Sequence, residues 1–363
     1  MGTCDFVWVF CAGVLGLGCV SATGDAPTGD QPSEVRTPID SPCEGVRAPG
    51  GHCGSYVEGN ITINTRWTRA RSPYTLTGDL AVAPGATLTI DPGVAVYGDE
   101  HRFQIFGRLV ARGNATGRIS FTNVALLAGG LGGPEQPYRM ELVLVDFRGG
   151  DLHPPTGGMN YGSLLLTDSV IEDTAQYIYL VYPTSPCLIE RNVFRRAGGV
   201  SAGTNENITV TIRNNLFERQ TFVAVDVFAT YDRSSVTVDR NTFASRDRIA
   251  VQIGSGNTSA PNVSARNNFW NTTDANVISS MIVDGSDGGG QTVIEFNPFL
   301  FAPDPSTPQS TLTCARGTVL CGTRCVMLDS DPDNCGACDT ACRSDDVCVD
   351  AFCVPSCVGN RCI

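Results

Sequence analysis

The chain has 363 residues, enough for one large or two ordinary domains, and its 40 glycines and 21 prolines favour turns and short strands over long helices. All 25 basic residues are arginine and the net charge is -12, which excludes a basic face for nucleic acid or for anionic membrane surfaces. The 16 cysteines, crowded between Cys314 and Cys362, do not suit a reducing cytoplasm and point to a disulfide scaffold.

Residues 6–19 form an apolar run broken by small side chains. It is too short to span a bilayer and suits the core of a signal peptide. Its end, Leu15-Gly16-Leu17-Gly18-Cys19, resembles a bacterial lipoprotein box, in which the cysteine is lipidated after cleavage. That resemblance implies a lipid on Cys19 and membrane contact through this anchor alone. Residues 20–59 are polar, rich in Gly, Pro, Asp and Thr and without periodicity, as in a flexible linker leading to a cap. Within them Cys43 and Cys53 are spaced to close a small disulfide loop.

From residue 60 to 303 the pattern changes to short alternating strands between turns. In Thr87-Leu88-Thr89-Ile90-Asp91-Pro92-Gly93-Val94-Ala95-Val96, Leu88 and Ile90 share one face, threonines take the other, and the Pro-Gly pair turns the chain. Large apolar anchors recur at Val96, Phe121, Phe147, Ile171, Phe194, Phe217, Phe243, Phe269 and Phe296, about 25 residues apart and with no helical spacing between them. That period predicts an all-β solenoid of about nine coils, each of three short strands, with equivalent positions stacked in columns. Counting back from the anchors, Leu164 and Leu166, Cys187 and Ile189, Val210 and Ile212, and Val236 and Val238 make an inward pair of columns. The next coil has Asn262 and Ser264 there with Val263 between, so its register slips by one.

Asparagines stand two residues before four anchors, at Asn192, Asn215, Asn241 and Asn267. Asparagine tolerates a left-handed corner, and amides stacked one coil apart, about 4.8 Å, can hydrogen-bond along the column. These four are expected to form a structural ladder rather than a repeated site.

Tyr74-Thr75-Leu76-Thr77-Gly78-Asp79-Leu80 through Pro84-Gly85-Ala86-Thr87-Leu88-Thr89-Ile90 resembles the opening coils of bacterial envelope β-helix proteins. So does Gly107-Arg108-Leu109-Val110-Ala111 leading to Ile119-Ser120-Phe121-Thr122. Asn267-Asn268-Phe269-Trp270-Asn271-Thr272-Thr273-Asp274 and Phe296-Asn297-Pro298-Phe299-Leu300 resemble the usual final coils. Residues 60–303 therefore resemble a right-handed parallel β-helix of the pectate-lyase-like superfamily, which includes lyases, hydrolases, adhesins and inert scaffolds.

One position past the anchors the column reads Arg148, Glu172, Arg195, Glu218, and four before them it reads Glu190, Arg213, Asp239. Both alternate in sign, as in self-neutralising surface ladders. Enzymes of the resembled superfamily gather aspartates on one face for calcium, with an arginine as base. Here the column nine past the anchors reads Leu180, Gly203, Asp226, Gln252, Ile278, one carboxylate in five. Asp226 with Arg248 is the nearest approach to a catalytic pair, and the spacing does not place them as a site. His52, His101 and His153 are scattered. Tyr177 and Tyr179 share a face by alternation, and exposed tyrosines can stack against sugar rings or else belong to the core. Cys187 falls in an inward column and reads as a buried free thiol.

Residues 304–313 read as a Pro-rich linker, and a cysteine-rich module fills 314–363 with Cys314, Cys321, Cys325, Cys335, Cys338, Cys342, Cys348, Cys353, Cys357 and Cys362. Only Cys335 and Cys338 have a zinc-like CxxC spacing, so disulfides account for the module better than metal, and their connectivity stays open. Cys321-Gly322-Thr323-Arg324-Cys325-Val326 with Asp331-Pro332-Asp333-Asn334-Cys335-Gly336-Ala337-Cys338 resembles the stigma-specific Stig1-like repeat of secreted proteins.

The sequence thus describes an exported protein, secreted or held at the cell surface as a lipoprotein. Its expected role is a non-catalytic scaffold or binding protein of the envelope, with polysaccharide or another envelope component as partner. The alternative is a polysaccharide lyase or glycoside hydrolase of the resembled superfamily. No metal or cofactor is implied, apart from calcium under the lyase alternative.

Overall fold

The computed structural model describes residues 54–98, 101–129, 137–152, 162–174, 176–204, 206–229, 235–254, 263–288, 292–311, 314, 317–321 and 324–355. Cys19, Cys43, Cys53, Cys357 and Cys362 lie outside them.

Short alternating strands wind into three parallel sheets around one apolar core. The first sheet stacks ten strands, from Thr65–Trp67 through Arg108–Arg112, Tyr138–Val143, Cys187–Glu190 and Thr209–Arg213 to Ile294–Glu295. The second runs from Ala95–Tyr97 through Val145–Arg148, Val170–Glu172, Val193–Arg195 and Leu216–Glu218 to Thr242–Phe243. The third ends in Ile178–Leu180, Val200–Gly203, Val225–Ala229, Val251–Ile253 and Ile282–Val283. Tyr74–Val82 is long enough to turn a corner, so its first residues pair in the second sheet and its last in the third. The solenoid has about seven turns rather than nine. The abbreviated ends explain the difference: Tyr74–Val82 serves two sheets at the start, and a single bridge from Thr242 to Phe269 replaces a strand at the finish. Ser55–Ile61 pairs with Tyr74–Val82, so the fold also begins before residue 60.

Anchor spacing becomes packing in the second sheet. Val96, Phe121, Phe147, Ile171, Phe194, Phe217 and Phe243 lie in register, all fully buried. Phe194 and Phe217 stack at 4.8 Å between ring centroids, and Phe217 and Phe243 at 5.5 Å. Each such pair is worth roughly 0.5–1.5 kcal/mol beyond the area it buries. The eighth place belongs to Trp270, 4.8 Å from Phe243, and not to Phe269, which is only half-buried. In the first sheet Leu166, Ile189, Ile212 and Val238 align inward, as do Cys187, Val210 and Val236. Thr237 pairs with Ser264, so Val263 becomes the inward residue and the register slips there.

The asparagines hold the corner between these two sheets. Asn192 Nδ2 donates to Leu166 O at 2.9 Å and to Asn215 Oδ1 at 3.0 Å, while its backbone N donates to the same Oδ1 at 3.0 Å. Asn215 repeats this toward Asn241, and Asn241 toward Asn268. The fourth rung is therefore Asn268, not Asn267, because the one-residue slip that brings Trp270 inward moves the amide with it. Left-handed backbone falls one residue earlier than expected, at Asp168, Arg191, Asn214, Arg240 and Asn267, with φ between 52° and 56°. Asn267 thus occupies the strained position and reaches only Asp239 Oδ1 with its amide, at 3.1 Å.

The alternating charges lie closer to the protein interior than surface ladders would. Glu172, Glu190 and Glu218 are buried. Arg195 bridges Glu218 at 2.6 Å and Glu172 at 3.5 Å, and Arg213 meets Glu190 at 2.7 Å. A strap explains much of this burial. Residues 297–311 run back across the second sheet instead of hanging free as a linker. Asn214 Nδ2 donates to Asp304 Oδ1 at 3.1 Å, Thr307 Oγ1 donates to Arg240 O at 2.8 Å, Ser310 Oγ donates to Glu218 Oε2 at 2.6 Å, and Arg195 Nη2 donates to Thr311 Oγ1 at 2.9 Å. Val193 and Leu216 alternate outward beside Phe194 and Phe217, yet both are buried on the face that carries the strap. A chain ending at residue 303 is expected to be about 2–4 kcal/mol less stable than one ending at 311, through uncovered apolar surface and lost hydrogen bonds. Equal melting temperatures would show that the strap contributes nothing.

The terminal module consists of two hairpins, Val319–Cys321 with Arg324–Val326 and Asp346–Val349 with Phe352–Pro355. Its disulfides join Cys314 to Cys325, Cys321 to Cys338, Cys335 to Cys348 and Cys342 to Cys353. The two cysteines of the CxxC stretch belong to different bridges. Arg246, in the bend after the second sheet's last strand, ion-pairs with Asp339 of the module.

Candidate functional site

The outer face of the third sheet brings together the residues best suited to hold a ligand. Ile178 and Leu180 point into the core, so Tyr179 between them points out. Tyr179, Ser201, Asp226, Gln252 and Val283 then form one column in register. This corrects the expected column of Leu180, Gly203, Asp226, Gln252 and Ile278: Leu180 is inward, and Ile278 is buried in the helix Ala275–Ser280. The corner between the second and third sheets differs in length from turn to turn. A fixed offset from the anchor therefore lands on different faces.

Asp226 is the fixed polar centre of the column. Its Oδ2 accepts from Ser201 Oγ at 2.6 Å and its Oδ1 from Gln252 Nε2 at 2.8 Å. Two neutral donors set the carboxylate's orientation while leaving acceptor capacity for a hydroxyl or amide. Arg248, exposed in a neighbouring bend, forms no ion pair with it among the described contacts.

Aromatic rings edge this centre. Tyr177 and Tyr179 meet edge-to-face at 5.8 Å, and the Tyr177 ring lies 5.5 Å from that of Phe222, which is 47% exposed. The Tyr177 hydroxyl accepts from Val223 N at 3.2 Å, which ties its ring to the turn before Val225. Burial, reinforced by the Asp226 carboxylate and Tyr179, pushes the Tyr177 phenol upward, so it stays neutral. Beyond Asp226 the Phe228 ring lies over Gly203, where a Cβ would come within 2.7 Å of it. Sequence pattern marks Tyr177 and Tyr179 and sets Gln252 beside Asp226, but does not mark Ser201 or Phe222. Phe222 did carry a signal, as a large ring in an otherwise polar turn.

Several other reactive groups of the described residues are engaged. Among the described residues the one cluster of three possible metal ligands is Cys335, Cys342 and Cys353, all in disulfides and so not thiolates. Arginine forks hold Asp168 and Asp173 below the usual carboxylate range, from Arg191 and Arg196 respectively. Cys187 is a buried free thiol whose sulfur accepts from Leu164 N at 3.4 Å, and burial pushes its pKa up to about 11. A thiol held there is protonated at neutral pH and unreactive. A cavity of about 330 Å³, lined by Arg246, Asp247, Val277, Cys321, Val326, Asp333 and Asn334, lies beside the terminal module and apart from the aromatic strip.

Compared with protein-family models, curated proteins and solved structures, the chain matches none of them.

Proposed function

We propose that this protein is an exported, surface-anchored binding protein of the cell envelope that holds polysaccharide on the outer face of its third sheet without cleaving it. The observation that carries this reading is the strip of Tyr177, Tyr179 and Phe222 around an Asp226 fixed by Ser201 and Gln252. Aromatic faces stack on the apolar faces of sugar rings, and an oriented carboxylate with neighbouring amide and hydroxyl groups suits sugar hydroxyls. Export is supported by the four disulfides of the module, which persist in oxidising surroundings. The resemblance of residues 15–19 to a lipoprotein box supports the anchor, and that of the tail to a Stig1-like repeat agrees with an extracellular setting.

The resemblance to pectate-lyase-like β-helices also raises the rival reading, a lyase or hydrolase. Against it, Asp226 has no second carboxylate in its column and, among the described contacts, no arginine bonded to it. Incubation with a glycan panel, with and without calcium, tests both. The expected result is binding without unsaturated products or new reducing ends, weakened about tenfold in Tyr179→Ala. Product formation would establish the enzyme instead, and undiminished binding by Tyr179→Ala would remove the strip from the site.

A further inference from the structure

Arg108 and Arg139 face each other in register on neighbouring strands of the first sheet, both exposed. Like charges directly opposite destabilise a sheet. No other strand pair among the described residues sets two like charges in register, and the Arg148 and Glu190 columns alternate strictly. Glu141 relieves Arg108 only in part and Arg139 not at all. Its carboxylate accepts from Arg108 Nη2 at 2.5 Å and from Arg112 Nε at 3.0 Å, so two arginines of the preceding turn already share it. Arg139 has no acidic partner among the described residues, which leaves three guanidinium groups around one carboxylate. Thr87 and Ser163 stand at the two ends of the same column and place a hydroxyl beside each arginine position.

We infer that the column Thr87, Arg108, Arg139 and Ser163 is a binding site for a phosphate group carried on an envelope glycan. A guanidinium fork engages two oxygens at once, and a carboxylate offers only two, with a single negative charge. A phosphate monoester presents three free oxygens and up to two negative charges, and can bridge two arginines one turn, about 4.8 Å, apart. The acidic protein as a whole repels a polyanion, so attraction has to come from this local excess and should fade as salt is added. This site lies on the first sheet and the aromatic strip on the third, so the two stand or fall separately.

Calorimetric titration of the full chain with phosphomannan, dephosphorylated mannan, polygalacturonate and inorganic phosphate tests the assignment. Phosphomannan is expected to bind, and dephosphorylated mannan and polygalacturonate about tenfold more weakly or not at all. Arg139→Gln should reduce phosphomannan affinity about tenfold while its melting temperature stays equal or rises, since a repulsion is removed. Arg139→Lys should retain part of the affinity, and Tyr179→Ala should leave it unchanged. Inorganic phosphate competing with phosphomannan would identify the phosphate as the recognised group. The proposal is overturned if wild type ignores phosphomannan, if Arg139→Gln binds it equally well, if polygalacturonate binds as tightly, or if only free phosphate binds.

Discussion

Replacing Asn241 with leucine is expected to lower stability by about 3–5 kcal/mol, among the largest effects of any single substitution in this fold. The Asn241 side chain accepts from Asn215 through both backbone N and Nδ2 and donates to Ile212 O and Asn268 Oδ1. Leucine has a similar volume and offers none of these bonds. Asn215 would keep a buried N–H and an amide hydrogen with no acceptor, and each orphaned group costs roughly 1–3 kcal/mol. Asn267→Gly supplies the contrast. Asn267 looks equivalent in sequence but lies off the ladder at φ 56°, where glycine fits without strain. It should cost no more than about 1 kcal/mol. Urea unfolding of the two variants decides the matter, and similar losses in both would contradict the ladder as described.

Reduction is expected to separate the two parts of the chain. The terminal module has two small hairpins and four interleaved disulfides. Several of its apolar side chains, Met327, Val347, Val349 and Phe352 among them, are exposed, so little core remains once the bridges open. Each native disulfide in so small a unit is worth about 2–5 kcal/mol, and losing all of them should unfold it. The solenoid is held by its phenylalanine stack and asparagine ladder, and no disulfide among the described residues lies within it. Limited proteolysis after mild reduction should trim the tail to a resistant fragment ending near the strap. Survival of an intact tail, or loss of the solenoid with it, would contradict this division.

Periodicity makes the core legible because, in every turn from Leu142 and Phe147 to Val238 and Phe243, the inward residues of the first and second sheets keep the same interval. Phe121 to Phe243 fall where their spacing puts them. Spacing alone cannot choose where two candidates adjoin. Arg266-Asn267-Asn268-Phe269-Trp270 offers two amides and two rings, and the choice goes to the pair that buries the larger ring. Nor does a fixed spacing reach the third sheet, where unequal corners bring Tyr179 and Ser201 into the column of Asp226. Arg108 and Arg139 were hidden for a similar reason, since the turn between them exceeds the usual period and no sequence offset aligns them. The strap looked like a linker because polar, proline-rich chain reads the same whether it hangs free or hydrogen-bonds to a surface. Its trace lay in Val193 and Leu216, apolar side chains on an outward parity that only a covering segment explains.

The backward course of that strap also sets how the molecule bears a pull. In a plain stack each turn touches only its neighbours, so tension on the last residue peels one turn at a time. Here the chain leaves the last turn beside Asn268, passes Arg240 and Asn214, and reaches Arg195 before it enters the module. Tension applied to the tail therefore enters midway along the stack and acts as shear across several turns at once. Their contacts must yield together, as rivets do through overlapping plates.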